Sequence, residues 1–251
     1  MFNGDNIVSI AVKAGEAILD YYSEPIEVEH KYDDSPLTNA DLAAHHVIMD
    51  GLKKETPQIP IISEEGGIAG YSERRGWKRY WLVDPLDGTK EFIKKNGEFT
   101  VNIALIEKKV PVFGVVHIPA TGVTYVGDRA NGSFKIEENG VRKRIYSEVP
   151  ELIKPVRIVC SRSHGSSDME DVLAEKGIKI GDKVPAGSSL KFCLLAEGKA
   201  DVYPRLGPTM EWDTGAGDAV FRYSAKKGYR TSPIEYNKEN MLNDGFIIGA
   251  E

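Results

Sequence analysis

The stretch Trp81-Leu82-Val83-Asp84-Pro85-Leu86-Asp87-Gly88-Thr89-Lys90-Glu91-Phe92 carries the densest chemical signal in this 251-residue chain. A hydrophobic run ends directly on Asp84, which puts a carboxylate at the carboxyl end of a strand, where open α/β sheets bind ligands. Pro85 stiffens the turn and holds Asp87 near Asp84; two carboxylates so placed repel each other unless a cation lies between them. Gly88 permits an unusual backbone angle. Thr89 stands where a helix can begin, and free N–H groups at such a start favour a phosphate. A second apolar run, Ile59-Pro60-Ile61-Ile62-Ser63, ends directly on Glu64 and Glu65. A β-turn with an aspartate cap would explain Asp-Gly alone, but not a third carboxylate arriving at a strand end. The donors are hard oxygens with no His or Cys beside them, which suits Mg2+ or Mn2+ rather than Zn2+. His45 and His46 are neighbours on an expected helix and cannot both face one ion.

The elements that must position these groups are legible in the spacing. Ile7, Ala11, Ala14, Ile18 and Tyr21 fall on one helical face over residues 7–22, with Asp5 available as a cap. Thr38 and Asp41 form a capping-box pattern that opens a second helix to about Lys54. Strands are expected at 59–63 and 79–83. From 99 to about 146, short β-rich runs separated by Lys-Lys, Pro-Ala-Thr-Gly, Ala-Asn-Gly and Asn-Gly predict an antiparallel meander. Pro150 and Pro155 bracket a boundary, dividing the chain into an α+β lobe at 1–153 and an α/β lobe at 154–251. In the second lobe strands are expected at VRIVCS, IKIGDKV and ADVYP. Helices are expected near 166–176, 187–197 and 213–227.

Bulk properties exclude several classes. With 32 basic and 38 acidic residues the net charge is −6, and the basic residues are scattered, so a nucleic-acid polymer is not the expected partner. No run approaches the ~20 apolar residues that cross a bilayer. The N-terminus lacks a basic segment followed by an unbroken apolar core. Cys160 and Cys193 stand among apolar residues and read as reduced, buried thiols. A cytoplasmic protein is expected, with peripheral contact to an inner membrane left open. A monomer is expected, with a dimer left open.

Three separated motifs, Glu64-Glu65, Asp84-Pro85-Leu86-Asp87-Gly88-Thr89 and Trp212-Asp213-Thr214, resemble the signature of the inositol monophosphatase superfamily, and the likeness spans nearly the whole chain. That resemblance implies a layered αβαβα sandwich of the inositol monophosphatase and fructose-1,6-bisphosphatase type. It also implies a lithium-sensitive, Mg2+-dependent phosphomonoesterase holding two or three ions, with Mn2+ a substitute. By similarity, Glu64, Asp84, Asp87, Asp213 and the Leu86 carbonyl would be the metal ligands, and Thr89 paired with Asp41 would activate the attacking water, with Glu64 also in the catalytic set. From the residues alone, Asp41 reads equally well as a carboxylate satisfying a helix start, and the two roles are compatible.

Gly187-Ser188-Ser189-Leu190-Lys191 and Tyr203-Pro204-Arg205, with Ser161-Arg162-Ser163-His164, resemble the 3′(2′),5′-bisphosphate nucleotidase branch more than the inositol phosphatases. The likeness implies hydrolysis of adenosine 3′,5′-bisphosphate to AMP and phosphate. It assigns Gly88, Thr89, His164, Gly187, Ser188, Lys191, Arg205 and Asp213 to the substrate. A bisphosphate needs cations away from the metals, and Lys191 and Arg205 supply two; Gly187, Ser188 and Ser189 could donate further bonds at a helix start. Without the likeness, Lys191 reads as a solvated helix lysine and Arg205 as a loop charge. Inositol monophosphate hydrolysis is the sister alternative, and a non-catalytic nucleotide sensor would not need the Thr89–Asp41 pair. Asp213-Thr214-Gly215-Ala216-Gly217-Asp218 is similar to the Asp-Thr-x-Gly-Ala-Gly-Asp signature of ribokinase-like sugar kinases. One residue is missing, which rotates Asp218 by ~100° on a helix and breaks the equivalence. Gly215 and Gly217 then read as small residues for close helix packing.

Overall fold

A computed structural model of the chain describes residues 2–23, 28–30, 36–161 and 167–250. It opens with α1 (Gly4–Tyr22), the short antiparallel pair β1 (Val28–His30) and β2 (Pro36–Thr38), and α2 (Asn39–Glu55). β3 (Ile61–Ser63), α3 (Tyr71–Arg74), β4 (Arg79–Asp87) and α4 (Thr89–Ile93) follow. The expected meander then runs as β5 (Thr100–Glu107), β6 (Val110–Ile118), β7 (Val123–Asp128), β8 (Gly132–Ile136) and β9 (Arg142–Arg144). Together β3 to β9 make one seven-stranded sheet in sequence order, parallel between β3 and β4 and antiparallel elsewhere.

Both faces of this sheet are covered, so its central strands read as continuous apolar runs whose alternate residues serve different cores. Trp81, Val83, Val101 and Ile103 meet the Ile7, Ala11, Ala14 and Ile18 stripe of α1 and Ala44, Ile48 and Leu52 of α2. Tyr80, Leu82, Ala104 and Ile106 face the other way, toward α6 (Leu190–Ala196) and α7 (Glu211–Arg222). A smaller sheet lies beyond them. In it β10 (Val156–Cys160) pairs in parallel with β11 (Ile180–Pro185) and bridges Ile158 to Val202 just before β12 (Tyr203–Arg205), which pairs with β15 (Phe246–Ile248). Met169 and Leu173 of α5 (Ser167–Glu175) close its outer face over Val156, Ile158 and Val202. A last ribbon joins β13 (Thr209–Met210) to β14 (Leu242–Asn243). The layers are therefore helix, sheet, helix, sheet, helix, as expected.

Local departures from the sequence reading have physical causes. Asn3, not Asp5, caps α1, its side chain accepting from Asp5 N at 3.0 Å. Tyr21 is exposed, and the neighbouring Tyr22 packs instead on Phe92 and Phe99. α6 starts at Leu190 rather than near 187, because Ser188 takes a left-handed φ of 50°. α7 is set two residues earlier than expected, since Asp213 accepts from Met210 N at 2.9 Å, and it stops at Arg222. β4 does not end at Asp84 but continues to Asp87. Asp84 lies opposite Asn102 and Asp87 opposite Thr100, so one extra residue is accommodated there, a bulge that suits Pro85 with its missing N–H. Both cysteines are free; Cys193 is buried and Cys160 half-buried.

Candidate active site

Each candidate carboxylate enters from a different element. Glu64 follows β3, its N–H donating to Val83 O of the adjacent strand at 3.1 Å. Asp84 sits at the β4 bulge, buried, with Leu86 N donating to its Oδ1 at 3.1 Å. Asp213 is in the first turn of α7. Oxygens of Glu64, Asp84 and Asp213 all lie within 4.8 Å of one another. Burial pushes the Asp84 carboxyl well above its ordinary range, and the charges of Glu64, Asp87 and Asp213 add to this. Loss of surrounding water, then the charges of Asp87 and Glu64, push Asp213 up to about 8. Three hard oxygen donors forced together against their own repulsion fit a divalent cation.

Asp87 stands outside that trio, although its charge reaches both aspartates. Its Oδ2 accepts from Ser188 Oγ at 2.8 Å, Ser189 Oγ at 3.0 Å and Asn102 Nδ2 at 3.3 Å. Gly88 adopts φ 91°, as expected of the residue before α4, and a Cβ there would stand 3.2 Å from Glu98 O. Thr89 Oγ1 lies 3.3 Å from Asp41 Oδ1 and 3.4 Å from Leu86 O. Asp41 is buried and takes Thr38 N at 2.8 Å and Thr38 Oγ1 at 2.6 Å on Oδ2. The helix-start role and the Thr89 contact thus coexist on its two oxygens.

A cleft of about 420 Å3 opens beside these groups, lined by Asp87, Gly88, Gly187, Ser188, Lys191, Arg205 and Asp213 among others. Lys191 is buried, not a solvated helix lysine; its Nζ donates to Ser188 O at 2.7 Å and sits over the Tyr203 ring. Burial holds its ammonium below the ordinary value; Asp87 opposes that shift and Arg205 reinforces it. Arg205 is held by Gly207 O and Pro208 O, both at 3.1 Å. The expected donors of the 187–189 turn are already engaged. Gly187 N donates to Glu98 Oε2 at 2.8 Å, and both serines hold Asp87. His164 lies outside the described residues.

Sequence reasoning missed the supporting groups. Asn102 links Asp87 and Ser189, and its signal was a lone amide inside the apolar run FTVNIALIE. Thr100 meets Ser188 Oγ at 2.6 Å, and Lys90, Lys94 and Tyr203 also line the cleft. The sugar-kinase alternative fails on position. Asp218 is fully buried, bonded to Arg222 Nε at 2.9 Å and Tyr236 OH at 3.0 Å, and is not among the residues that line this cleft. Gly215 and Gly217 do serve packing, since a Cβ at Gly217 would stand 2.5 Å from Phe192 Cδ2. Among the described residues no helix is long and apolar enough to cross a membrane.

Residues 5–223 match the model of the inositol monophosphatase family. The 3′(2′),5′-bisphosphate nucleotidase CysQ of Escherichia coli strain K12 is 48% identical over 249 residues, covering 97% of this chain and 98% of that protein. The crystal structure of CysQ from Bacteroides thetaiotaomicron, described as a bacterial member of that family, aligns with a TM-score of 0.80 and 42% identity over 99% of this chain and 97% of its own. The extragenic suppressor protein SuhB from Bartonella henselae shares the fold at a TM-score of 0.76 and 24% identity, over 98% of this chain and 93% of its own.

Proposed function

The chain belongs to the inositol monophosphatase family, and we propose that within it the protein is a Mg2+-dependent 3′(2′),5′-bisphosphate nucleotidase that converts adenosine 3′,5′-bisphosphate to AMP and phosphate. The observation that carries this reading is the convergence of Glu64, Asp84 and Asp213 beside the Thr89–Asp41 pair. Glu64, Asp84 and Asp213 would hold the cation, with Asp87 and the Leu86 carbonyl on the same turn. When bound, the ion supplies Lewis-acid neutralisation of phosphate charge and lowers the pKa of water beside it.

The chain's own groups handle the proton. Water attacks phosphorus, its proton passing to Thr89 Oγ1 as the Thr89 proton passes to Asp41 Oδ1, and the P–O bond to the ribose oxygen breaks opposite. The departing oxygen takes a proton from solvent and leaves as the ribose hydroxyl, and Asp41 returns the proton it gained to solvent. Thr38 fixes Asp41 through its other oxygen, which keeps Oδ1 directed at Thr89. Lys191 and Arg205, which line the same cleft, suit a second phosphate, and the buried ammonium is desolvated in advance for an anion.

Turnover with Mg2+ on adenosine 3′,5′-bisphosphate compared with inositol 1-phosphate tests the assignment. The nucleotide is expected to be the better substrate by at least about tenfold in kcat/KM. A reversal of that order rejects the nucleotidase reading in favour of the sister activity.

A further inference from the structure

One buried carboxylate two residues from Asp213 holds four hydrogen bonds and is not used by the proposed chemistry. Glu211, first residue of α7, is fully buried. Its Oε2 accepts from Asn237 N at 2.7 Å and Tyr80 OH at 3.4 Å, and its Oε1 from Lys238 N at 3.0 Å and Lys238 Nζ at 3.1 Å. Its own N–H donates to Met241 O at 2.9 Å. The segment 235–243 is thereby strapped around the start of α7. Lys238 Nζ ties the strap to itself through Glu235 O at 2.8 Å and Asn243 Oδ1 at 2.6 Å. Arg74 and Asn237 exchange two bonds of 2.9 Å that anchor it to the first half of the chain.

This strap bears on the site because of where Glu211 sits. Two residues along a helix turn the side chain by ~200°, so Glu211 and Asp213 point to opposite sides of one helical turn. The strap grips one side while the carboxylate cluster gathers on the other. Thr214 Oγ1 donates to Glu211 O at 3.0 Å and meets Asn243 Nδ2 at 3.4 Å, which closes the turn over the strap. Asn243 Nδ2 also reaches Met210 O at 3.4 Å, on the residue whose N–H Asp213 accepts. Any rotation of this turn moves Asp213 relative to Glu64 and Asp84, which arrive from the sheet.

We propose that Glu211, through its clasp on Lys238 and the 235–243 strap, is a positioning residue that sets Asp213 for cation binding. The inference rests on Asp213 being a metal ligand, as read above. Glutamine at 211 keeps the volume but sets an amide donor against one pair of donors, either Asn237 N with Tyr80 OH or Lys238 N with its Nζ. Binding of Mn2+ to the full chain without substrate, followed by the electron paramagnetic resonance of the free ion, reads the effect apart from turnover. Glu211→Gln is expected to weaken Mn2+ about tenfold, the lower end for groups that orient ligands. Lys238→Met should weaken it in the same direction and less, while Lys199→Met, which removes an exposed lysine elsewhere, should not change it. A Glu211→Gln protein that melts earlier yet binds Mn2+ as tightly as the wild type would reduce Glu211 to a structural role. Should that variant not fold, undiminished Mn2+ binding by Lys238→Met overturns the proposal. A wild-type chain that binds no Mn2+ removes the metal reading itself, a distinct result.

Discussion

Asp41 shows how one side chain can hold a helix start and still present an oxygen to the proposed site. Its Oδ2 holds the start of α2 through Thr38 and its Oδ1 faces Thr89. Removing the Thr89 hydroxyl should therefore leave the helix intact and remove the group proposed above to carry the proton. Thr89→Ala is expected to lower kcat by ~10²–10⁴-fold with KM within a few-fold, and Thr89→Ser to restore most of it. Steady-state kinetics that showed only a raised KM would make Thr89 a binding group. Asp87 makes a different case, since three side chains already hold its Oδ2. Asp87→Asn should keep the fold and lose about 10–100-fold in metal affinity or activity, as for a group that orients others; activity equal to wild type would remove it from the site. Glu64, Asp84, Asp87 and Thr89 were visible in the sequence because they stand beside strand ends or a helix start, and Asp213 through the likeness of Trp212-Asp213-Thr214 to the family signature. Asn102, Thr100 and Glu98 were not, because each joins the site through pairings many residues distant.

At the scale of elements, what brings Asp213 to the other carboxylates is how closely α7 lies on the sheet. β6 and β7 offer glycines where it passes. A Cβ at Gly127 would stand 2.3 Å from Ala219 O, and one at Gly114 would stand 2.6 Å from Ala216 O. These are backbone atoms and cannot rotate away. Gly127→Ala should destabilise the protein by ~1–3 kcal/mol in urea unfolding and weaken cation binding with it. Gly67→Ala, with no neighbour within 4 Å, should stay within about 0.5 kcal/mol. An unchanged urea midpoint for Gly127→Ala would show that α7 has room to move. The meander was legible because alternating apolar runs and Gly-containing turns are local signals. The start of α6 was not, because Ser188 is held by Asp87 across the chain, a bond that spacing does not encode. The start of α7 was missed because Met210 offers no capping side chain, although Asp213 three residues on accepts from its N–H.

For the molecule as a whole, the carboxylate cluster is a burden to folding, since burial and mutual repulsion oppose its ionisation. The raised values at Asp84 and Asp213 mean that the cation-free folded protein binds protons that the unfolded chain has released, aspartate there titrating near 3.9. Stability from this site is fully present below about pH 4 and is lost as pH rises through the folded values, which for Asp213 is about 8. The rise in Tm on adding Mg2+ should accordingly be larger at pH 8 than at pH 6, and calorimetry should register proton release on binding. Equal Tm shifts at the two pH values would contradict the link between the cluster and the ion. The order in which the groups occur along the chain has a consequence for synthesis. A ribosome delivers Glu64 and Asp84 with a sheet that is complete by Arg144, but Asp213 follows much later and the strap that clasps Glu211 later still. A chain that stops before α7 carries two of the three clustered carboxylates and lacks the third. On the metal reading proposed above, capture of a cation would wait for the segment that carries Asp213, and hydrolysis would wait with it.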